Sequence, residues 1–206
     1  MTTKRLIISS GVGRMEREDL PHILAGKLEL PYHLLKWQDI IEGSADPLIE
    51  RHTSYGSWGT KILKKLLYDY AYDATAYNDH KEAIQKKLKE LLDSIEEDEI
   101  ILIAHSWGCV IFYDYLKEIG DSRVKKLITM GCPIPLDRGE DYTNLEGVDW
   151  VNYWEYNDPI AHKMFREGID DRRYKSWNVF KSWNPLAHIS YLKSRSLSRK
   201  IKKEIS

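Results

Sequence analysis

The chain has 206 residues, 42% of them hydrophobic and 31% charged, a composition suited to one soluble globular domain with a single sizeable core. A formal net charge of −1 excludes any global electrostatic pull toward nucleic acid or an anionic membrane. Two cysteines, Cys109 and Cys132, are too few for a disulfide framework and read as small buried residues of a reducing compartment.

The first apolar run, Leu6-Ile7-Ile8, is too short for a signal-peptide core, and no run approaches the length of a membrane span. The expectation is a cytoplasmic protein. Residues 6–10 read as a buried strand closed by Gly11-Val12-Gly13. Residues 16–27 suggest a short helix whose start Pro21 blurs, and residues 33–37 a weaker strand. The stretch 43–79 is the least regular, with Gly43, Pro47, Gly56 and Gly59, and a helix is expected near 61–70. Residues 80–95 form the clearest helix, because Ile84, Leu88, Leu91, Leu92 and Ile95 share one face at helical spacing.

A strand follows at 100–104. A second helix places Cys109, Phe112, Leu116 and Ile119 on one face and stops at Gly120. Strands are expected at 124–130 and at 150–156, the latter ended by Asn157-Asp158-Pro159. From Ser190 the pattern is helical and basic, with Leu197, Ile201 and Ile205 turned to the body and the lysines to water. Apolar strands alternating with amphipathic helices imply a three-layer α/β/α sandwich around a mostly parallel sheet of about five to six strands. A single domain spans 1–206, and the segments 43–79 and 160–184 are expected to form a lid or substrate groove.

The chemistry centres on Ile100-Ile101-Leu102-Ile103-Ala104-His105-Ser106-Trp107-Gly108, an apolar strand running into a serine at the start of a helix. A turn that sharp needs small residues two places either side of the serine, and Ala104 and Gly108 supply them. Such a turn strains the serine backbone, aims Oγ out of the sheet edge, and sets it at a helix N-terminus, where N–H groups favour developing negative charge. The plainer reading is a serine capping the helix. A nucleophilic serine needs a base, and the base needs an orienting carboxylate. Asp158 stands in a turn after a later strand, on the sheet edge where Ser106 emerges. Only two histidines follow Ser106: His162, too near Asp158 to reach both partners, and His188, in a loop entering the last helical stretch.

Together "AHSWG", "NDPIA" and "NPLAHISYL" resemble the small α/β-hydrolase-fold lipases and esterases, over most of the chain. The resemblance implies a reduced member without the first hairpin or a large cap, with a flavodoxin-like sheet. By motif, Ser106 resembles the nucleophile, Asp158 the acid and His188 the base. It implies an oxyanion hole from the N–H of Trp107 and one from the loop after the first strand, assigned to Val12. No cofactor is called for, and the partner is a small-molecule ester or thioester substrate.

Other patterns weigh less. Gly11-Val12-Gly13 lacks the third glycine of a dinucleotide fingerprint, since Glu16 stands there. Tyr55-Gly56-Ser57-Trp58-Gly59 copies the serine turn without a strand before it. Tyr55, Trp58, Phe165, Trp177 and Phe180 either line an apolar groove or simply pack. Basic residues at 163, 166, 172, 173, 175 and 181 either greet an anionic substrate or face water. Asp137 is the alternative acid. No metal-binding spacing is present. A thioesterase or amidase with the same triad, and an inactive binding module, remain as alternatives.

Overall fold

The computed structural model describes residues 3–11, 19–41, 58–139, 141–161, 163–174 and 185–206. Six strands form one sheet: β1 (Lys4–Ser9), β2 (Tyr32–Leu34), β3 (Glu99–His105), β4 (Val124–Met130), β5 (Asp149–Trp154) and β6 (Ile169–Arg173). Their order is β2-β1-β3-β4-β5-β6, and every neighbouring pair is parallel. The described helices are α1 (Asp19–Leu28), α2 (Gln38–Ile41), α3 (Trp58–Asp93), α4 (Gly108–Glu118), α5 (Ile134–Arg138), α6 (Pro185–Lys193) and α7 (Arg195–Ile205).

Continuous apolar strands are buried on both faces, as a parallel sheet requires. Side-chain alternation divides the core. Ile7, Ile100, Leu102, Ala104, Leu127 and Trp150 point to a cluster with Ile84, Leu88 and Leu92 of α3 and Phe112 of α4. Leu6, Ile8, Ile101, Ile103, Ile128, Met130 and Val151 face the other way, against Leu24 and Leu28 of α1, Tyr191 and Leu192 of α6, and Leu197 and Ile201 of α7. The three-layer α/β/α sandwich with a flavodoxin-like strand order is therefore the observed architecture. Ser194 caps α7 by accepting the Leu197 N–H at 3.1 Å, and Leu197, Ile201 and Ile205 are buried while Arg199 and Lys200 face solvent.

Two elements differ from the expectation. The helix expected at 80–95 is the second half of α3, which continues back to Trp58 through a kink at His80 (φ −120°, ψ 16°). The segment 160–184 contains β6, whose sequence Ile-Asp-Asp-Arg-Arg carries no apolar run. An edge strand is only half enclosed, and its polar side chains are satisfied by polar partners. Arg172 bonds Asp170 and Glu204 of α7, and the Arg173 guanidinium lies 5.9 Å from the Tyr156 ring centre.

Polar groups also cross the buried sheet. Thr129, Asn152 and Asp171 sit in register on β4, β5 and β6. Trp150 Nε1 donates to Thr129 Oγ1 (3.0 Å), Thr129 Oγ1 donates to Asn152 Oδ1 (2.9 Å), and Asn152 Nδ2 donates to Asp171 Oδ1 (2.8 Å). Asp171 then accepts the N–H groups of Met164 and Phe165, tying down the loop that follows Asp158. Removing the middle member leaves buried Thr129 without its acceptor and takes one donor from half-buried Asp171, so Asn152→Ala is expected to cost about 1–3 kcal/mol of stability. Urea unfolding measures this, and a change under about 0.5 kcal/mol, the size expected of an uncoupled surface site, would show that the ladder is not coupled.

Candidate active site

Parallel strands leave their C-terminal ends on one edge, and a ligand crevice opens where successive connections leave in opposite directions. Here β1 connects to β2 on one side and pairs with β3 on the other, so the switch lies between β1 and β3. The residues just beyond the strand ends extend the ladder. Gly11 N–H bonds the His105 carbonyl (3.0 Å), Ser106 N–H the Met130 carbonyl (3.1 Å), and Gly131 N–H the Tyr153 carbonyl (3.3 Å). These bonds align Gly11, Ser106 and Gly131 along the rim.

Ser106 has φ +55°, a left-handed conformation that costs a non-glycine residue roughly 1–2 kcal/mol. The geometry expected of a strained strand-to-helix turn is present. Its closeness explains Gly108: a Cβ there would lie 2.8 Å from both the carbonyl carbon and oxygen of Ser9. Trp107 turns inward and is 1% exposed, its ring edge-on to Tyr70 (5.3 Å between centres) and Tyr77 (6.2 Å). Its backbone N–H, at the head of α4, has no acceptor among the described residues. The Gly11 N–H, by contrast, is occupied by His105.

Asp158 and His188 come together across this rim. His188 Nδ1 lies 2.9 Å from Asp158 Oδ2 and 3.1 Å from Oδ1, both side chains being buried. Asp158 Oδ1 also accepts the N–H groups of Ile160 (2.9 Å) and Ala161 (3.1 Å), the turn chemistry that Asn-Asp-Pro encodes. Burial pushes the Asp158 carboxyl up, but the His188 charge, its hydrogen bond and the two N–H donors outweigh it and hold the group below its ordinary value. The other imidazole nitrogen, His188 Nε2, is buried without a hydrogen-bond partner among the described residues. Ser106 and His188 are therefore not hydrogen-bonded in this structure, a looseness common in sites that tighten around a substrate.

The remaining candidates separate clearly. Asp137 sits on α5 with Arg138 Nε 3.0 Å away, and the acid against His188 is Asp158. Phe165 is 74% exposed on the loop after Asp158, with the Lys163 ammonium 4.8 Å above its ring. Trp58 opens α3, its side chain outside the described part of the molecule. Val12, Tyr55, Ser57, His162, Trp177 and Phe180 lie outside the described residues.

The parallel α/β/α sandwich is consistent with an α/β-hydrolase fold. A family model described as an alpha/beta hydrolase of unknown function (DUF900) matches residues 56–132, which run from the start of α3 through Ser106 to the turn after β4. Asp158 and His188 lie beyond the matched stretch. A comparison with curated proteins gives no match. Among the described residues, no helix is long and apolar enough to cross a membrane, and no cluster of His, Cys, Asp and Glu is arranged to hold a metal ion.

Two residues of this rim were not legible in the sequence. Asp73 of α3 is 3% exposed, and a Cβ on Gly11 would lie 2.9 Å from its Oδ2 and 2.8 Å from Ser106 Oγ, so carboxylate and hydroxyl flank the same point. His105, next to the serine, reaches back with Nε2 2.7 Å from the His188 carbonyl. Burial, then the His188 charge, push the His105 pKa down from 6.5 to about 3, so it is neutral in the folded protein. Between pH 3 and 6.5 the unfolded chain binds a proton here that the folded chain does not, so stability falls as pH falls. Asp158 acts in the same direction at lower pH: its contribution is complete above the ordinary carboxylate range and is lost only below it. The expected outcome is that His105 removes roughly 2 kcal/mol of stability between pH 7 and pH 5, measured as the excess loss of wild type over His105→Gln in urea unfolding. Equal losses in both proteins would mean a solvated, freely titrating His105.

Proposed function

We propose that this protein is a serine hydrolase that cleaves carboxylic esters through an acyl-enzyme on Ser106. The observation that carries the reading is the His188–Asp158 pair, its Nε2 without a partner among the described residues, on the same sheet edge as a serine held in a left-handed turn. In the proposed reaction His188 Nε2 takes the proton from Ser106 Oγ as the oxygen attacks the ester carbonyl carbon. The resulting oxyanion is held by the Trp107 N–H and by an N–H from the loop after β1. Val12 is assigned that second role, because the Gly11 N–H is bonded to His105. The tetrahedral species collapses, the C–O bond breaks, and the departing alcohol takes the proton from His188. Water, deprotonated by the same nitrogen, then attacks the acyl group and releases the carboxylic acid and free Ser106. Asp158 keeps the proton of neutral His188 on Nδ1 and stabilises the imidazolium when it forms.

The test is labelling with a fluorophosphonate, followed by peptide mapping, beside turnover of short-chain nitrophenyl esters. Wild type is expected to carry the adduct on Ser106 and to turn esters over, and Ser106→Ala to do neither. Asp158→Asn is expected to lower kcat by about 10³–10⁴-fold, through the wrong tautomer of the base. An unlabelled, folded wild type would remove the hydrolase reading and leave a binding module. Labelling with thioester or amide turnover but no ester turnover would correct the substrate class.

A further inference from the structure

We propose that His105 is a positioning residue: its Nε2–H holds the backbone carbonyl of His188 and so sets the base relative to the nucleophile. This rests on the reading of Ser106, Asp158 and His188 as a catalytic triad. A carbonyl can only accept, so at 2.7 Å the His105 Nε2 must carry the proton. His105 is the last residue of β3, one covalent step from Ser106, and its own carbonyl is pinned by the Gly11 N–H. Strand alternation sends its side chain to the face opposite α3, where α6 lies. The His105 and His188 rings stand 4.8 Å apart, and Tyr191 of α6 closes the other side at 6.0 Å. Gly131, at φ +58°, makes room for both rings: a Cβ there would lie 3.0 Å from His188 Cε1 and 3.2 Å from His105 Nε2. The titratable groups facing His105 are His188, Asp158 and Tyr191.

The consequence is geometric. The serine comes from the sheet, whereas the base comes from a helix more than 80 residues later in the chain, at a sequence separation of 83 from His105. The hydrogen bond ties that helix to the strand end that carries the serine. Misplacing a reacting group by about 1 Å can cost about 10²-fold in rate, so one such bond has leverage over catalysis without touching substrate.

The experiment compares wild type, His105→Phe, which keeps a ring and loses the donor, and His105→Gln, whose side-chain N–H can take the place of Nε2–H. In His105→Phe, Ser106 labelling and ester kcat are expected to fall about 10–100-fold with KM unchanged, and in His105→Gln to recover most of that loss. The low-field proton resonance of His188 Nδ1–H against Asp158 is expected to be sharp in wild type and His105→Gln and broadened in His105→Phe. Long-range proton–nitrogen spectra of wild type at pH 7 are expected to show His105 protonated on Nε2. His105→Phe with wild-type labelling and an unchanged proton resonance would overturn the proposal, as would a His105→Gln as slow as His105→Phe. Protonation of His105 on Nδ1 in wild type would overturn it too, whether or not His105→Phe folds. If wild type is neither labelled nor active, the hydrolase reading fails, and the two spectra still decide whether His105 orders His188.

Discussion

Ser106 can hold φ +55° only because the chain on either side is fixed. Its own N–H continues the β3–β4 ladder, and two residues later α4 starts against the Ser9 backbone with no room for a Cβ at Gly108. The strain of one residue is thus held by a sheet on one side and a helix–strand contact on the other. Trp107 adds a third restraint, because its ring is buried beneath α3 among Tyr70 and Tyr77. With the side chain committed inward, the backbone N–H at the head of α4 is left toward the rim. The position of α4, the approach of α3 and the exposure of the serine all follow from this turn.

The other half of the site depends on a different kind of restraint. Asp158 and His188 belong to a loop and a helix, which have no ladder of their own to fix them. Asp158 is held by the N–H groups of its own turn, and the loop after it is anchored on Asp171 at the end of the buried Thr129–Asn152–Asp171 ladder. His188 is held from both ends, its ring by Asp158 and its carbonyl by His105. Buried polar bonds are worth most where water is excluded, and they also fix direction, which apolar packing does not. Asp73 brings a second carboxylate to the point over Gly11 that Ser106 Oγ also flanks, so α3 contributes a charged side chain to this rim besides Asp158.

The strands with long apolar runs were legible because burial on both faces forces that pattern; β3 and β4 are the clearest cases. β6 was not, since Ile169 is its only apolar residue and its polar side chains are satisfied by partners distant in sequence, Asn152 and Glu204. The first half of α3 was legible only in part: a helix is expected near 61–70, but not its continuation into the helix at 80–95. Gly56 and Gly59 and the tyrosines suggest irregular chain, whereas the helix forms because Tyr77 and its neighbours pack on α4 and Trp107. His105 was hidden by its own neighbour: beside a candidate nucleophile it reads as part of a motif, and nothing local says that it turns to the opposite face of the sheet.

What the sequence by itself determined is the local chemistry: an apolar strand, a serine between Ala104 and Gly108, an aspartate in an Asn-Asp-Pro turn, and a histidine expected in a loop before the last helical stretch, which the structure instead places within α6. Each is written in neighbouring residues, through periodicity, small side chains and turn preference. Only the tertiary structure decided which residues meet. The Asp158–His188 pair, the His105 hold on the His188 carbonyl and the place of Asp73 beside Ser106 are contacts between segments far apart in the chain. They exist because a parallel sheet gathers every strand end on one edge, and the choice among possible neighbours there is made by packing, which no single stretch of sequence contains.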